Sequence, residues 1–155
     1  MPDDKIKIIY VDDEENNLFS FKATFRMNYQ VFTAISGSQA VQILEEHPDI
    51  AVIITDQRMP GMTGVEFLES ILDRHPYPMR VLLTGYADIN AVVDAVNKGK
   101  IFHYLSKPWN EEELDMTIQR AYEIYKHQLE DKEFNKKLTR SNEQLEFLLR
   151  QKLLS

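Results

Sequence analysis

Ile50-Ala51-Val52-Ile53-Ile54-Thr55-Asp56 is an apolar run that stops at a carboxylate. Four of its five apolar residues are β-branched and Gln57-Arg58-Met59-Pro60-Gly61 follows, so it reads as a strand buried on both faces that ends in a turn. Pro60, Gly61 and Gly64 supply the turn residues. Burial on both faces belongs to a parallel sheet, where ligands bind in the crevice beyond the carboxyl ends of the strands. Asp56 therefore stands where chemistry is expected. Capping a helix is the plainer use for an aspartate there, but Thr63 with Glu66 already makes a capping-box pattern for the next helix.

The rest of the chain repeats the arrangement. Ile6 to Val11 reads as a strand and ends in Asp12-Asp13-Glu14-Glu15. A helix follows with Leu18, Phe21 and Phe25 on one face, closed in the Asn28-Tyr29 region. Gln30 to Ala34 is a short strand. Ser36 and Gln39 open the next helix as a capping box, with Ala40, Ile43 and Leu44 inward and Pro48 closing it. After the Asp56 strand, Val65, Leu68, Ile71 and Leu72 form a helical stripe. Arg80 to Gly85 is a strand with Thr84 near its end, and Asp88 is placed to cap a helix through Ala91, Val92, Ala95 and Val96 that stops at Gly99. Phe102 to Ser106 is the fifth strand, ending at Lys107-Pro108. Asn110 with Glu113 starts a last helix whose inner face is Leu114, Ile118, Ala121 and Tyr125. Strands and helices in strict alternation predict right-handed crossovers and one parallel sheet covered on both sides.

From Lys126 the pattern changes to Leu129, Phe134, Leu138, Leu145, Leu148, Leu149 and Leu153 among many charges, with no Gly or Pro. The expectation is a domain over 1–125 and a helical extension over 126–155. The extension is spaced like a coiled coil, or like a linker to a further output domain. It carries seven Lys/Arg against five acids, a charge of +2 in a chain of net charge −7. That acidic total argues against direct nucleic-acid binding, which calls for a basic patch or stripe. The chain has no Cys and hence no thiolate metal site. Its start lacks the charged and apolar regions of a secretory signal, and no apolar run approaches the ~20 residues that span a bilayer, so a cytoplasmic protein without membrane contact is expected.

Asp12, Asp13, Asp56, Thr84 and Lys107 all fall at strand ends, which in such a sheet lie along one edge. Taken singly, each has an ordinary use: first-turn acids, a strand-end threonine, a surface lysine. Their coincidence at successive strand ends points the other way. Carboxylates gathered from separate strands repel one another unless a hard cation sits among them, and an all-oxygen set without His suits magnesium better than zinc. An ammonium and a hydroxyl beside that set are donors for the equatorial oxygens of a phosphoryl group in transfer, with Asp56 as nucleophile.

These motifs, Val11-Asp12-Asp13, Asp56 through Gly64, Leu83-Thr84-Gly85 and Tyr104-Leu105-Ser106-Lys107-Pro108, resemble those of the receiver domain of two-component response regulators over about residues 5 to 125. The resemblance implies a flavodoxin-like doubly wound (β/α)5 sheet. It implies Asp56 as phospho-acceptor, a magnesium pocket of Asp12, Asp13, Asp56 and the backbone carbonyl of Arg58, and Thr84 and Lys107 on the phosphoryl oxygens. Gly85 takes the small position beside the site, Tyr104 is the aromatic switch, and the peptide before Pro108 is cis. The implied donor is a sensor histidine kinase or phosphotransfer protein, and the chain is a regulator rather than a turnover enzyme. Two alternatives use the same residues differently. A haloacid-dehalogenase-like phosphatase needs a second Asp two residues after the nucleophile, where this chain has Arg58. A phosphorylation-independent scaffold would act only by dimerising through 126–155. The four histidines lie scattered without ligand spacing.

Overall fold

A computed structural model describes residues 5–154. The elements are β1 (Ile6–Val11), α1 (Glu15–Phe25), β2 (Tyr29–Ala34), α2 (Gly37–Glu46), β3 (Val52–Asp56), α3 (Gly64–Ile71), β4 (Met79–Thr84), a 3-10 turn (Tyr86–Asp88), α4 (Ile89–Asn97), β5 (His103–Ser106) and α5 (Glu111–Leu154). The five strands form one parallel sheet in the order β2-β1-β3-β4-β5. The chain leaves β1 toward β2 on one side and returns to build β3, β4 and β5 on the other. The strand order thus reverses between β1 and β3, the place where a doubly wound sheet opens its ligand crevice.

Alternation along the strands sorts the core into two faces. Ile9, Val11, Ile53 and Leu82 point to one side, where they meet Ala40 and Leu44 of α2, Phe67, Leu68 and Ile71 of α3, and Val92 and Ala95 of α4. Tyr10 points to the other, stacked on Phe21 of α1 with centroids 4.4 Å apart, and Phe21 and Phe25 in turn meet Trp109 at 6.0 and 5.7 Å. Burying each large apolar side chain contributes about 1.5–3 kcal/mol, so strands apolar on both faces are held by both layers at once.

The doubly wound parallel sheet is as expected, and the differences are local. Tyr29 does not close α1, which ends at Phe25; it begins β2, fully buried, because its hydroxyl donates to Asp115 of α5 and accepts from Gln119 Nε2 at 2.7 Å. Ser36 accepts from the Gln39 amide at 3.2 Å, but the Gln39 side chain bonds the amide of Ile35 at 2.7 Å instead of returning to Ser36. Phe67, absent from the expected α3 stripe, is buried in the core, while Val65 and Leu72 are only half-buried. In α4, Ala91 is exposed.

Contacts divide the chain into a compact unit ending at Tyr125 and a second beginning at Lys126. In the second, Phe134, Leu138, Leu145 and Leu148 are 65%, 49%, 58% and 63% exposed, so this chain alone leaves its apolar seam in solvent.

Candidate functional site

The site grows from the ends of β1, β3, β4 and β5. Register pairs Val11 with Thr55, so one further step brings Asp12 beside Asp56 at the switch point. The Asp12 side chain is buried and receives three donors: the Tyr10 hydroxyl at 2.7 Å, the Glu14 amide at 3.0 Å and Asn17 Nδ2 at 3.0 Å. Burial, and next the bond to Asp12, push the Tyr10 hydroxyl far above its ordinary pKa, so it stays a donor at any physiological pH. Asp13 is half-buried beside it. Carboxylate oxygens of Asp12, Asp13 and Asp56 lie within 4.8 Å of one another.

Asp56 is 5% exposed and ion-paired with Lys107 Nζ. Its pKa is raised: burial is the largest cause and Asp12 adds to it, against the lowering effect of Lys107. One ammonium therefore does not fully compensate this carboxylate. The residues fit a hard divalent cation on that ground, since an all-oxygen set with surplus negative charge is what such a cation neutralises.

The loop after Asp56 is fixed at several points. The Gln57 amide bonds the Leu83 carbonyl at 3.0 Å and its side chain accepts from the Val65 amide at 2.9 Å. Gly61 turns the chain with φ of 79°, open to glycine at little cost. Thr63 and Glu66 form a complete capping box at the start of α3. The Arg58 Nε bonds Asp88 Oδ2 at 2.9 Å, and the two residues line a cleft of about 340 Å³ together with Asp56, Gly85 and Lys107. This changes the expected role of Asp88. It stands at the N-cap position of α4, but its side chain makes no capping bond.

Thr84 is buried at the end of β4, its hydroxyl donating to the Gly85 carbonyl at 3.2 Å. Tyr104 sits half-buried on β5, opposite Leu82 and packed against the core. The Lys107 amide bonds the Thr84 carbonyl at 2.9 Å and the Lys107–Pro108 peptide is cis. A Cβ at Gly85 would meet nothing within 4 Å, so the small residue leaves the cleft open without being required by packing. Asp56, Arg58, Gly85 and Lys107 thus line one cleft, Asp12 and Asp13 gather against Asp56, Thr84 ends β4 and Tyr104 lies within β5. The sequence reading passed over Tyr10, Asn17, Gln57, Asp88 as a partner of Arg58, and Trp109. Trp109 is the single tryptophan, immediately after Lys107-Pro108, and that placement was its available signal.

A flavodoxin-like doubly wound sheet with an acidic pocket at its switch point, faced by a lysine from the last strand, defines a class of phosphoryl-accepting signalling domain. The family model for the response regulator receiver domain matches residues 8–119, and the chain belongs to that family. Its members are signalling regulators rather than turnover enzymes, and interact with histidine kinases or phosphotransfer proteins. The chain is 36% identical over 123 residues to the hydrogenase transcriptional regulatory protein HoxA of Cupriavidus necator, covering 79% of this chain and 25% of that protein. It is 35% identical over 94 residues to the DNA-binding transcriptional regulator NtrC of Escherichia coli, covering 60% of this chain and 19% of that one. It spans about a quarter of the length of the HoxA proteins it matches. Among solved structures, a response regulator receiver domain protein from Clostridium thermocellum superposes with TM-score 0.74 at 32% identity over 78% of this chain and 97% of that one. A structure described as adenylate cyclase from Rhodopirellula baltica superposes with TM-score 0.83 at 29% identity over 86% of this chain and 98% of that one. Among the described residues no helix is long and apolar enough to cross a membrane.

Proposed function

We propose that this chain is a phosphorylation-dependent switch whose acceptor is Asp56. The observation that carries the reading is the ion pair of Lys107 with a buried Asp56 in a pocket shared with Asp12 and Asp13. The donor is a phosphohistidine on a sensor histidine kinase or phosphotransfer protein, and a small acyl phosphate serves in its place. An Asp56 carboxylate oxygen attacks phosphorus. The phosphorus–nitrogen bond breaks as the new phosphorus–oxygen bond forms, and the electron pair leaves with the imidazole nitrogen. Mg2+, held by Asp12, Asp13, Asp56 and the Arg58 carbonyl, supplies charge neutralisation when bound. Lys107 and Thr84 hold the phosphoryl oxygens, and Gly85 leaves them room.

Thr84 gives up its bond to the Gly85 carbonyl to reach a phosphoryl oxygen, and Tyr104 turns into the volume vacated. This is a population shift between two packings that changes the surface of α4, β5 and α5. Output passes to the C-terminal helix or to a downstream domain, and the apolar seam of 126–155 pairs with a second copy. The protein works in the cytoplasm without binding nucleic acid through this segment. Incubation with Mg2+ and acetyl phosphate, followed by intact mass, is expected to show one phosphoryl group that Asp56→Asn abolishes. Labelling that survives that substitution, or proceeds equally in chelator, overturns the assignment.

A further inference from the structure

Asp88 occupies the N-cap position of α4 without capping it. Its backbone has φ of −106° and ψ of 5°, within the 3-10 turn Tyr86–Asp88, and its carboxylate is spent on Arg58 Nε at 2.9 Å. A capping residue instead sits in the extended region and accepts from the second or third amide of the helix, here Asn90 or Ala91. Thr63 does so at the start of α3, with ψ of 163° and a bond from the Glu66 amide. Asp88 therefore has two uses for one carboxylate, which it cannot serve from one backbone conformation. The pair joins the loop that follows Asp56 to the turn that follows Thr84, on the lip of the acceptor cleft. The Arg58 side chain is 72% exposed, so the bond is weak enough to be exchanged.

We propose that the Arg58–Asp88 pair is a strap across the mouth of the cleft. A phosphoryl group on Asp56 draws the Arg58 guanidinium from Asp88, and the released carboxylate then caps α4. The inference rests on Asp56 as the acceptor. A phosphoryl group brings extra negative charge and three acceptor oxygens into the cleft that Arg58 lines together with Asp56, and the planar fork of Arg suits phosphoryl oxygens better than one carboxylate oxygen. Capping requires ψ of Asp88 to leave 5° for the extended range, so the 3-10 turn opens as α4 gains its first turn. Arg58 acts here as a positioning residue, coupling charge at Asp56 to the start of α4 independently of Thr84 and Tyr104.

Amide hydrogen exchange at Asn90 and Ala91 in the full chain tests this in two arms. Without any phosphoryl analogue, Asp88→Asn breaks the ion pair but keeps a side chain able to cap. It is expected to slow exchange at these amides about five-fold relative to wild type, as is Arg58→Ala, whereas Asp88→Ala gives no such slowing. With Mg2+ and beryllofluoride, wild type is expected to slow by a similar factor and Asp88→Ala not to. Exchange in Asp88→Asn and Arg58→Ala equal to wild type in the first arm overturns the strap. So does an unchanged α4 in wild type whose bound beryllofluoride is visible by fluorine NMR. No bound beryllofluoride sinks the acceptor reading instead, and the first arm still decides whether Arg58 withholds the cap.

Discussion

Gly64 lies so close to Asp56 that a Cβ built on it would stand 2.4 Å from the Asp56 carbonyl oxygen and 2.7 Å from Leu82 Cδ1. The first residue of α3 is thereby pressed against the last residue of β3, and the Gly64 amide bonds the Gln57 carbonyl at 2.9 Å. The Asp56 backbone is fixed by a contact that only glycine permits. Gly64→Ala is expected to cost about 1–3 kcal/mol, read as a lower urea midpoint, because backbone must move to admit the methyl group. Gly85→Ala, whose Cβ meets nothing within 4 Å, serves as the control and is expected to leave the midpoint nearly unchanged. Equal midpoints for the two variants would show that the loop yields freely.

The raised pKa of Asp56 fixes the sign of a pH effect. Burial, aided by Asp12 and opposed by Lys107, makes the folded protein hold this proton more tightly than the unfolded chain does. Folding is therefore favoured when Asp56 is protonated, and that contribution is lost as pH rises from the ordinary carboxylate range through the raised value. At pH 7 in chelator the charged form is a net cost. Asp56→Asn is then expected to raise Tm by a few degrees, with the gain shrinking toward pH 4. Thermal melts across that range check it, and a gain that grows on acidification contradicts the sign.

Tyr10 is expected to support the proposed cation pocket through Asp12. Its hydroxyl is one of three donors that orient Asp12. Loss of such supporting partners typically weakens metal binding about 10–100-fold. Tyr10→Phe is expected to weaken Mg2+ at the lower end of that range, since the Glu14 amide and Asn17 remain. Trp109, beside Tyr10 and Lys107 on one cleft, gives a fluorescence signal for the titration as the chain's single tryptophan. An unchanged midpoint would mean that those two donors suffice.

The Tyr29 hydroxyl, between Asp115 and Gln119, ties β2 to α5. Tyr29→Phe leaves both partners half-satisfied and is expected to cost about 1–3 kcal/mol by urea unfolding. Burial, and next the bond to Asp115, raise the pKa of this phenol, so the folded state holds its proton more firmly. Stability is accordingly present below the ordinary tyrosine pKa and lost as pH rises above about 10. Tyr29→Phe should flatten the alkaline decline, and a decline of unchanged steepness counts against this residue.

Where burial and chain order act alone, the sequence was readable. β-branched runs such as Val52 to Ile54 name the strands, and strict alternation with helices names the sheet, which then aligns Asp12, Asp56, Thr84 and Lys107 without further information. What escaped reading depends on partners far away in sequence. Tyr29 looks like a helix terminator until Asp115, 86 residues on, claims its hydroxyl. Asp88 looks like a cap until Arg58, 30 residues earlier, takes its carboxylate. Gln39 shows the other failure: the pattern was right and the bond formed one residue away, at Ile35.

The seam of 126–155 supports one further prediction. Phe134, Leu138, Leu145 and Leu148 fall at spacings of 4, 7 and 3, consistent with one stripe of a supercoiled helix, and all four are largely exposed in the single chain. Covering each leucine contributes about 1.5–3 kcal/mol, and a second copy offers the same stripe in the same register, so a parallel pair buries both seams without requiring another protein. The charge of the segment is only +2, too small for repulsion to prevent pairing at physiological salt. Asp131 and Lys152 continue the stripe at its ends and limit how far the pairing extends. The chain is therefore expected to sediment as a dimer at tens of micromolar, and Leu138→Glu/Leu145→Glu as a monomer with the receiver unit still folded by circular dichroism. A monomer in both proteins means that the seam belongs to some other partner, and a dimer in both places the interface elsewhere on the chain.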